Sequence, residues 1–324
     1  MTGERPMTRN AKFLLPAIAC GMLLAASFAV AQQPLQTYAV QGNVHMITGA
    51  GGNIAVQTGP DGILVVDTGL AQMASQVAAE IKKLSRARIY WIINTHMHPD
   101  HVGGNDTLAK GDEGADVGVF GRVDGEQTLR IIGQANVLNR LTKPAGPGET
   151  PAPQAGLPED EYTTPFKDLR FNNEAVIIYH EPNAHTDGDS VVLFRGSDVI
   201  ATGDIFTPGG YPFIDLEHGG TLQGEIAALD HILDLAVPGH TQEGGTYVIP
   251  GHGRICDEAD VVEFRDMVVI VRDRVQDMVR KGMSLDQVKA ARPTLDYDTE
   301  YVTANSFVKA DQFVETVYKS LTKK

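Results

Sequence analysis

Apolar and polar positions alternate in short runs near the start of the chain, then switch to helical spacing. Tyr38-Ala39-Val40 and Val44-His45-Met46-Ile47 flank the turn signal Gln41-Gly42-Asn43. Asn53–Gln57 and Ile63–Asp67 flank Gly59-Pro60-Asp61-Gly62, which reads as a second hairpin. Met73, Val77, Ile81 and Leu84 then recur one helical turn apart, predicting an amphipathic helix over 71–86. The apolar run Ile89–Ile93 predicts a strand, and residues 101–110 the first turns of another helix.

Farther along, residues 124–141 read as a helix. The Pro/Gly-rich stretch 142–165 reads as a long surface loop, a candidate flap. Strands are expected at 175–179, 190–194, 199–202 and 246–249, and a helix at 221–235. From Asp257 onward the pattern is helical, with Ser284 as N-cap of a helix over 285–291 and a last helix from Lys309 to Leu321. Two successive blocks of strands then helices predict an α/β protein: two mixed sheets packed together, helices outside, and a helical C-terminal extension.

The N-terminal residues read differently. Arg5, Arg9 and Lys12 precede an apolar stretch from Phe13 to Val30, and Ala29-Val30-Ala31 has the form of an A-x-A cleavage site. This predicts a bacterial signal peptide over 1–31 and a periplasmic or secreted mature chain without stable membrane insertion. An uncleaved anchor is the competing reading. The organisation expected is therefore 1–31 leader, 32–256 main domain and 257–324 extension. Export brings no disulfide, because Cys256 is the one cysteine past the leader; it reads as a small buried apolar residue. The formal net charge of −14 argues against a nucleic-acid partner. A small-molecule substrate is expected; oligomeric state is not encoded in any readable pattern.

The candidate chemistry begins where the strand at 89–93 ends, in His96-Met97-His98-Pro99-Asp100-His101. Three imidazoles and a carboxylate this close together are costly unless a cation sits among them. Three more candidate ligands stand where strands run out: His185 in Ala184-His185-Thr186, Asp204 in Gly203-Asp204, and His252 in Pro250-Gly251-His252. Adjacent small residues let backbone and side chains crowd together. An all-imidazole and carboxylate set suits zinc, and also iron or manganese.

The ordered set His-x-His-x-Asp-His, His185, Gly203-Asp204 and Pro250-Gly251-His252, with Val66-Asp67-Thr68-Gly69 upstream, resembles the metallo-β-lactamase-fold superfamily across residues 37–256. That resemblance implies a four-layer αββα sandwich and two zinc ions. His96, His98 and His185 would hold the first, Asp100, His101 and His252 the second, and Asp204 would bridge them. Asp67 would orient the ligand loop without touching metal. The resemblance also implies an enzyme, a metal-dependent hydrolase whose metal-bridging hydroxide attacks a carbonyl of an ester, lactone, thioester or β-lactam. Asp204 stands where one large group of β-lactamases has cysteine, and Thr207 where they have a carboxylate-clamping lysine; both departures weigh against lactam hydrolysis as the main task. Competing readings are a phosphodiesterase of the same fold, a mononuclear-iron persulfide-dioxygenase-like oxidoreductase, and a non-enzymatic metal- or partner-binding relic. Asp100 is also a candidate catalytic group, and Tyr211 a candidate donor to an oxyanion. The pairing of His252 rather than His240 with the site follows from the β-rich run before it. His45, His180, His218 and His231 read as structural or surface histidines, and Asp187 and Asp189 as turn formers.

Overall fold

Which strands are buried on both faces decides the layering. In the computed structural model, residues 34–111, 129–143, 150–242, 244–303 and 306–322 are described, besides Met1. The leader expected over 1–31 therefore lies outside the described residues, and the described residues from Pro34 onward form one compact unit. The strands are β1 (Gln36–Gln41), β2 (Val44–Thr48), β3 (Ile54–Gly59), β4 (Gly62–Val66), β5 (Ile89–Ile93), β6 (Arg130–Gln134), β7 (Asp160–Tyr162), β8 (Phe166–Phe171), β9 (Glu174–Glu181), β10 (Asp189–Phe194), β11 (Val199–Ala201), β12 (Tyr247–Ile249) and β13 (Cys256–Asp257). The helices are α1 (Ala74–Leu84), α2 (Pro99–Val102), α3 (Asn105–Lys110), α4 (Ala135–Leu141), α5 (Leu222–Leu235), α6 (Glu258–Arg280), α7 (Leu285–Ala291), α8 (Asp298–Tyr301) and α9 (Ala310–Thr322).

One sheet has seven strands in the order β1 to β7; the other has six, in the order β13-β12-β11-β10-β9-β8. The first is antiparallel from β1 to β4 and parallel from β4 to β7. The second is antiparallel except for the parallel pair β11–β12.

Leu64, Val66, Ile93 and Ile132 face Ile178, Val192, Phe194 and Ile249 across the space between the sheets. Their sequence neighbours Ile63, Val65, Ile92 and Ile131 point outward and pack against Met73, Val77 and Ile81. The outer face of the second sheet, Val191, Leu193, Ile200 and Val248, packs against α5, α6 and α9 through Leu229, Phe264 and Phe313. Residues of β4 and β5 are thus apolar on both sides, as doubly covered parallel strands require. The result is the expected αββα sandwich, with the C-terminal helices packed in one layer with α5.

Three local expectations need correction. Residues 130–134, read as part of a helix, form β6. Ile131 and Ile132 are fully buried on opposite faces beside β5, and the helix begins only where the Gln134 side chain accepts from Asn136 N. Nor is the 142–165 stretch a flap where it is described. Tyr162 is buried in β7, which pairs with β6, and Gly156 O accepts from Asn105 Nδ2 at 3.0 Å. The helix expected at 101–110 is broken into α2 and α3 at Gly103-Gly104. A Cβ at Gly104 would stand 2.5 Å from Thr68 O. The edge strand β8 and the two-residue β13 have no counterpart among the elements that the sequence pattern predicts. The Ser284 cap of α7 is present as a full capping box with Gln287.

Candidate metal centre

The loops that follow β4, β5, β11 and β12 carry Asp67, the His-rich turn, Asp204 and His252, and so meet at the carboxyl ends of the parallel strands. His185 joins them from the turn before β10. Two glycines make the approach possible. A Cβ at Gly251 would lie 2.0 Å from Asp204 Oδ1, and one at Gly52 would lie 2.4 Å from His101 Cε1.

The side chains fall into two adjacent groups. His96, His98, His185 and Asp204 bring ligand atoms within 4.8 Å of one another, and so do Asp100, His101 and His252. Asp204 stands between them. Its Oδ2 is 3.9 Å from both His96 Nε2 and His185 Nε2, while its Oδ1 is 3.1 Å from His101 Nε2 and 3.4 Å from His252 Nε2. Asp100 Oδ2 lies 3.2 Å from His252 Nε2.

The outward nitrogens reveal what the inward ones are for. His101 Nδ1 donates to Asp67 Oδ2 at 2.7 Å. Thr95 Oγ1 donates to Asp67 as well, so its lone pair is left to accept from His96 Nδ1 at 3.0 Å. His185 Nδ1 donates to the Phe213 carbonyl, and His98 Nε2 to Asp215 Oδ2 at 3.0 Å. With a proton on the outer nitrogen, each of these imidazoles would turn a lone pair inward toward an ion. Two of them, His98 Nδ1 and His185 Nε2, face each other at 2.9 Å. His96 Nε2 is buried without a hydrogen-bond partner, and His101 Nε2 and Asp204 Oδ1 are buried facing each other at 3.1 Å. Buried acceptors pointed at one another need a cation between them, so the donor set fits metal ions.

The charge balance agrees. Burial raises the Asp204 pKa, but the surrounding imidazoles, His101 foremost, overcome it and hold the carboxyl well below its usual range. Burial lowers the His252 pKa, but hydrogen bonds to Asp100 and Asp204 push it up to about 9. Burial and the neighbouring His101 and His185 push His96 down. Negative charge is fixed where only positive charge compensates it.

Asp67 does its work through strain. It is a non-glycine residue with φ of 62°, a turn that swings its carboxylate across to β5, where it also accepts from Thr95 N at 2.8 Å.

All seven predicted ligands converge, and His240 lies away from them in an exposed turn. Tyr211 is the exception among the expected site residues. Its hydroxyl donates to Asp298 Oδ1 at 2.9 Å, and its ring stacks on Tyr301 and Phe313. The C-terminal helices have captured its polar end, so it forms part of the cleft floor instead of offering a donor to an oxyanion. Asp187 is committed to a bidentate pair with Arg140, while Asp189 accepts from Thr186 N and Oγ1 as a turn former does. His231 pairs with Glu181, and His180 with the Asp187 carbonyl. Cys256 is buried and free.

Sequence reasoning missed Asp215. Its Oδ2 accepts from His98 and also from His218 Nδ1 at 2.6 Å, joining His218 to the site at one remove. Burial raises the Asp215 pKa, and these two hydrogen bonds overcome it and hold it far below the carboxylate range. The available signal was a short acidic turn, Ile214-Asp215-Leu216-Glu217-His218, that repeats no known spacing.

A sandwich of two mixed sheets with a His/Asp cluster at the ends of its parallel strands defines a class of metal-dependent hydrolases. The chain belongs to the metallo-β-lactamase superfamily, whose family model matches residues 47–240. Among solved structures, the stereoselective inverting sec-alkylsulfatase Pisa1 from Pseudomonas sp. is similar at 15% identity and a TM-score of 0.66, covering 88% of this chain. This chain spans half the length of that protein. The DIM-1 metallo-β-lactamase is similar at 16% identity and a TM-score of 0.53, covering 73% of this chain and 98% of its own. No curated protein sequence matches the chain significantly. At these identities the likeness establishes the fold alone.

Proposed function

We propose that this chain is an exported hydrolase with two zinc ions that cleaves an ester-type carbonyl bond, in a carboxylic ester, lactone or thioester. The observation that carries the reading is Asp204: one carboxylate reaches into both ligand groups, and each group is complete. Ions bound there would supply a hydroxide nucleophile at neutral pH and polarise the scissile carbonyl. The chain's own residues do the rest. Asp67, Thr95, Asp215 and the Phe213 carbonyl hold the imidazoles in one tautomer and orientation. Asp100, part-exposed at the cleft, is placed to accept a proton from the attacking water or pass it to the leaving group.

Arg140 and Lys143 border a separate cavity on the Met97 and His218 side; among the described residues, the cleft beside the ligands at Asp204 and His252 is lined by no lysine or arginine. This favours a neutral carbonyl substrate over a phosphodiester or a lactam carboxylate, both of which need a countercharge. The complete second group weighs against a single-iron oxygenase. Export rests on residues 1–31 alone; among the described residues no helix is long and apolar enough to cross a membrane.

The test is elemental analysis of purified protein followed by a panel of esters, lactones, thioesters, a chromogenic cephalosporin, a phosphodiester and a sec-alkyl sulfate, with and without chelator. About two zinc per chain with chelator-sensitive turnover of a carboxylic ester, lactone or thioester is the expected result. One iron per chain, or turnover confined to the phosphodiester or the sulfate, would overturn the reading.

A further inference from the structure

Beside the ligand cluster opens a cleft of about 570 Å³, within the range of small-molecule sites. One rim is the metal centre itself, His98, Asp204 and His252; the opposite wall is Phe307 and Val308, from the segment joining α8 to α9. Two large aromatic side chains stand open to solvent there, Phe213 at 39% exposure and Phe307 at 81%. They meet edge to face, with ring centroids 5.2 Å apart.

An isolated exposed aromatic on a surface carries little information. This pair is different because of where it sits. Phe213 lies over the ligands, its ring 5.7 Å from His185 and 6.0 Å from His98, and its carbonyl fixes His185. Phe307 is held at the mouth by its neighbour Val308, which is buried in the core formed with α5, α6 and α9. The floor is the immobilised ring of Tyr211. On the other side, Gly209 and Gly210 have nothing within 4 Å of where a Cβ would stand, which leaves open space for a ligand. Among the described residues, no charged side chain borders the cleft apart from the candidate metal ligands.

We propose that this cleft is a subsite for an uncharged aliphatic chain of the substrate, laid against the joined rings of Phe213 and Phe307, with Phe307 and Val308 as its specificity wall. The proposal rests on the hydrolase reading and narrows it to esters of medium-length apolar chains. Covering the two rings with alkyl groups removes apolar surface that the folded chain otherwise leaves in water.

The experiment has two arms on the zinc-loaded protein. One measures kcat/KM for p-nitrophenyl esters from acetyl to octanoyl. The other measures calorimetric binding of straight-chain alcohols from butanol to octanol, which requires no hydrolysis. Both arms are run on wild type, Phe307→Ala and Phe307→Leu. Each added methylene is expected to raise kcat/KM and alcohol affinity by about three- to fourfold until the cleft is filled. Phe307→Ala flattens both slopes, lowering the octanoyl-to-acetyl ratio roughly tenfold, and Phe307→Leu falls between. Because Phe307 is exposed, neither change threatens the fold. Alcohols that bind with this slope while no ester, lactone or thioester is turned over would sustain the subsite and overturn the hydrolase reading. Ester turnover with no chain-length slope, or with one that Phe307→Ala leaves intact, would overturn the subsite and leave the hydrolase reading standing. Failure of alcohols to bind would likewise overturn the subsite.

Discussion

The two ligand groups share Asp204 but are built to different standards. In the first, His96 and His185 are fully buried, and His96, His98 and His185 each have an outer partner: Thr95, Asp215 and the Phe213 carbonyl. In the second, only His101 has one, Asp67; the Asp100 and His252 side chains are 32% and 40% exposed and line the open cleft. The first group is organised before an ion arrives. The second relies on two part-exposed side chains, Asp100 and His252, that hold only each other and Asp204, so fixing them on an ion would cost more conformational entropy. The lesson is that order of filling and access to substrate would come from the same asymmetry: the buried half is the one built to hold an ion first, and the open half the one that faces the cleft.

The largest effect is expected where the halves join. Asp204→Ala should abolish binding at the second group, weaken the first, and lower turnover by at least about a thousandfold, read by metal content and kcat together. Next comes a pair that separates the halves. His252→Ala should retain close to one equivalent of metal, whereas His96→Ala should lose the tightly held ion; equal losses in both would erase the asymmetry. A finer pair acts through the outer partners. Asp215→Asn should weaken the tight site and Asp67→Asn the weak one, each by about 10- to 100-fold in affinity. Asparagine tolerates the positive φ at Asp67, so the backbone turn survives that change.

The smallest effect concerns stability. Glu225 on α5 is fully buried, and neither carboxylate oxygen has a hydrogen-bond partner among the described residues. Burial, then Asp189 and Asp204, push its pKa well above 4.5. A raised folded-state pKa means the folded protein binds the extra proton. The contribution to stability is therefore full below the unfolded value and lost as pH rises through the folded one. Glu225→Gln lacks that loss, so the variant should gain on wild type between pH 5 and pH 8, by about 1 kcal/mol or more in thermal or denaturant unfolding. A constant difference across that range would show that Glu225 does not carry the proton.

Most of the ligand set was legible because its signals are local. His96–His101 occupies one turn, and Gly203-Asp204 and Pro250-Gly251-His252 carry their own permissive glycines. What was not legible acts across distance. Asp215 meets His98 across 117 residues, with no spacing to announce it. Tyr211 looked free because its captor, Asp298, lies 87 residues on. Nothing in the sequence marks Phe307; only its place opposite Phe213 gives it meaning. The strand β6 was misread because a short apolar run such as Ile131-Ile132 suits either a buried strand or a helix, and the neighbouring strand β5 decides.

The most direct test of the central claim is calorimetric titration of the metal-free protein with zinc. Two binding events of different affinity, summing to about two ions per chain, with only the weaker lost in His252→Ala, would bear out a rigid and an open half-site joined by Asp204. A single event of one ion, or two events that disappear together in His252→Ala, would contradict it.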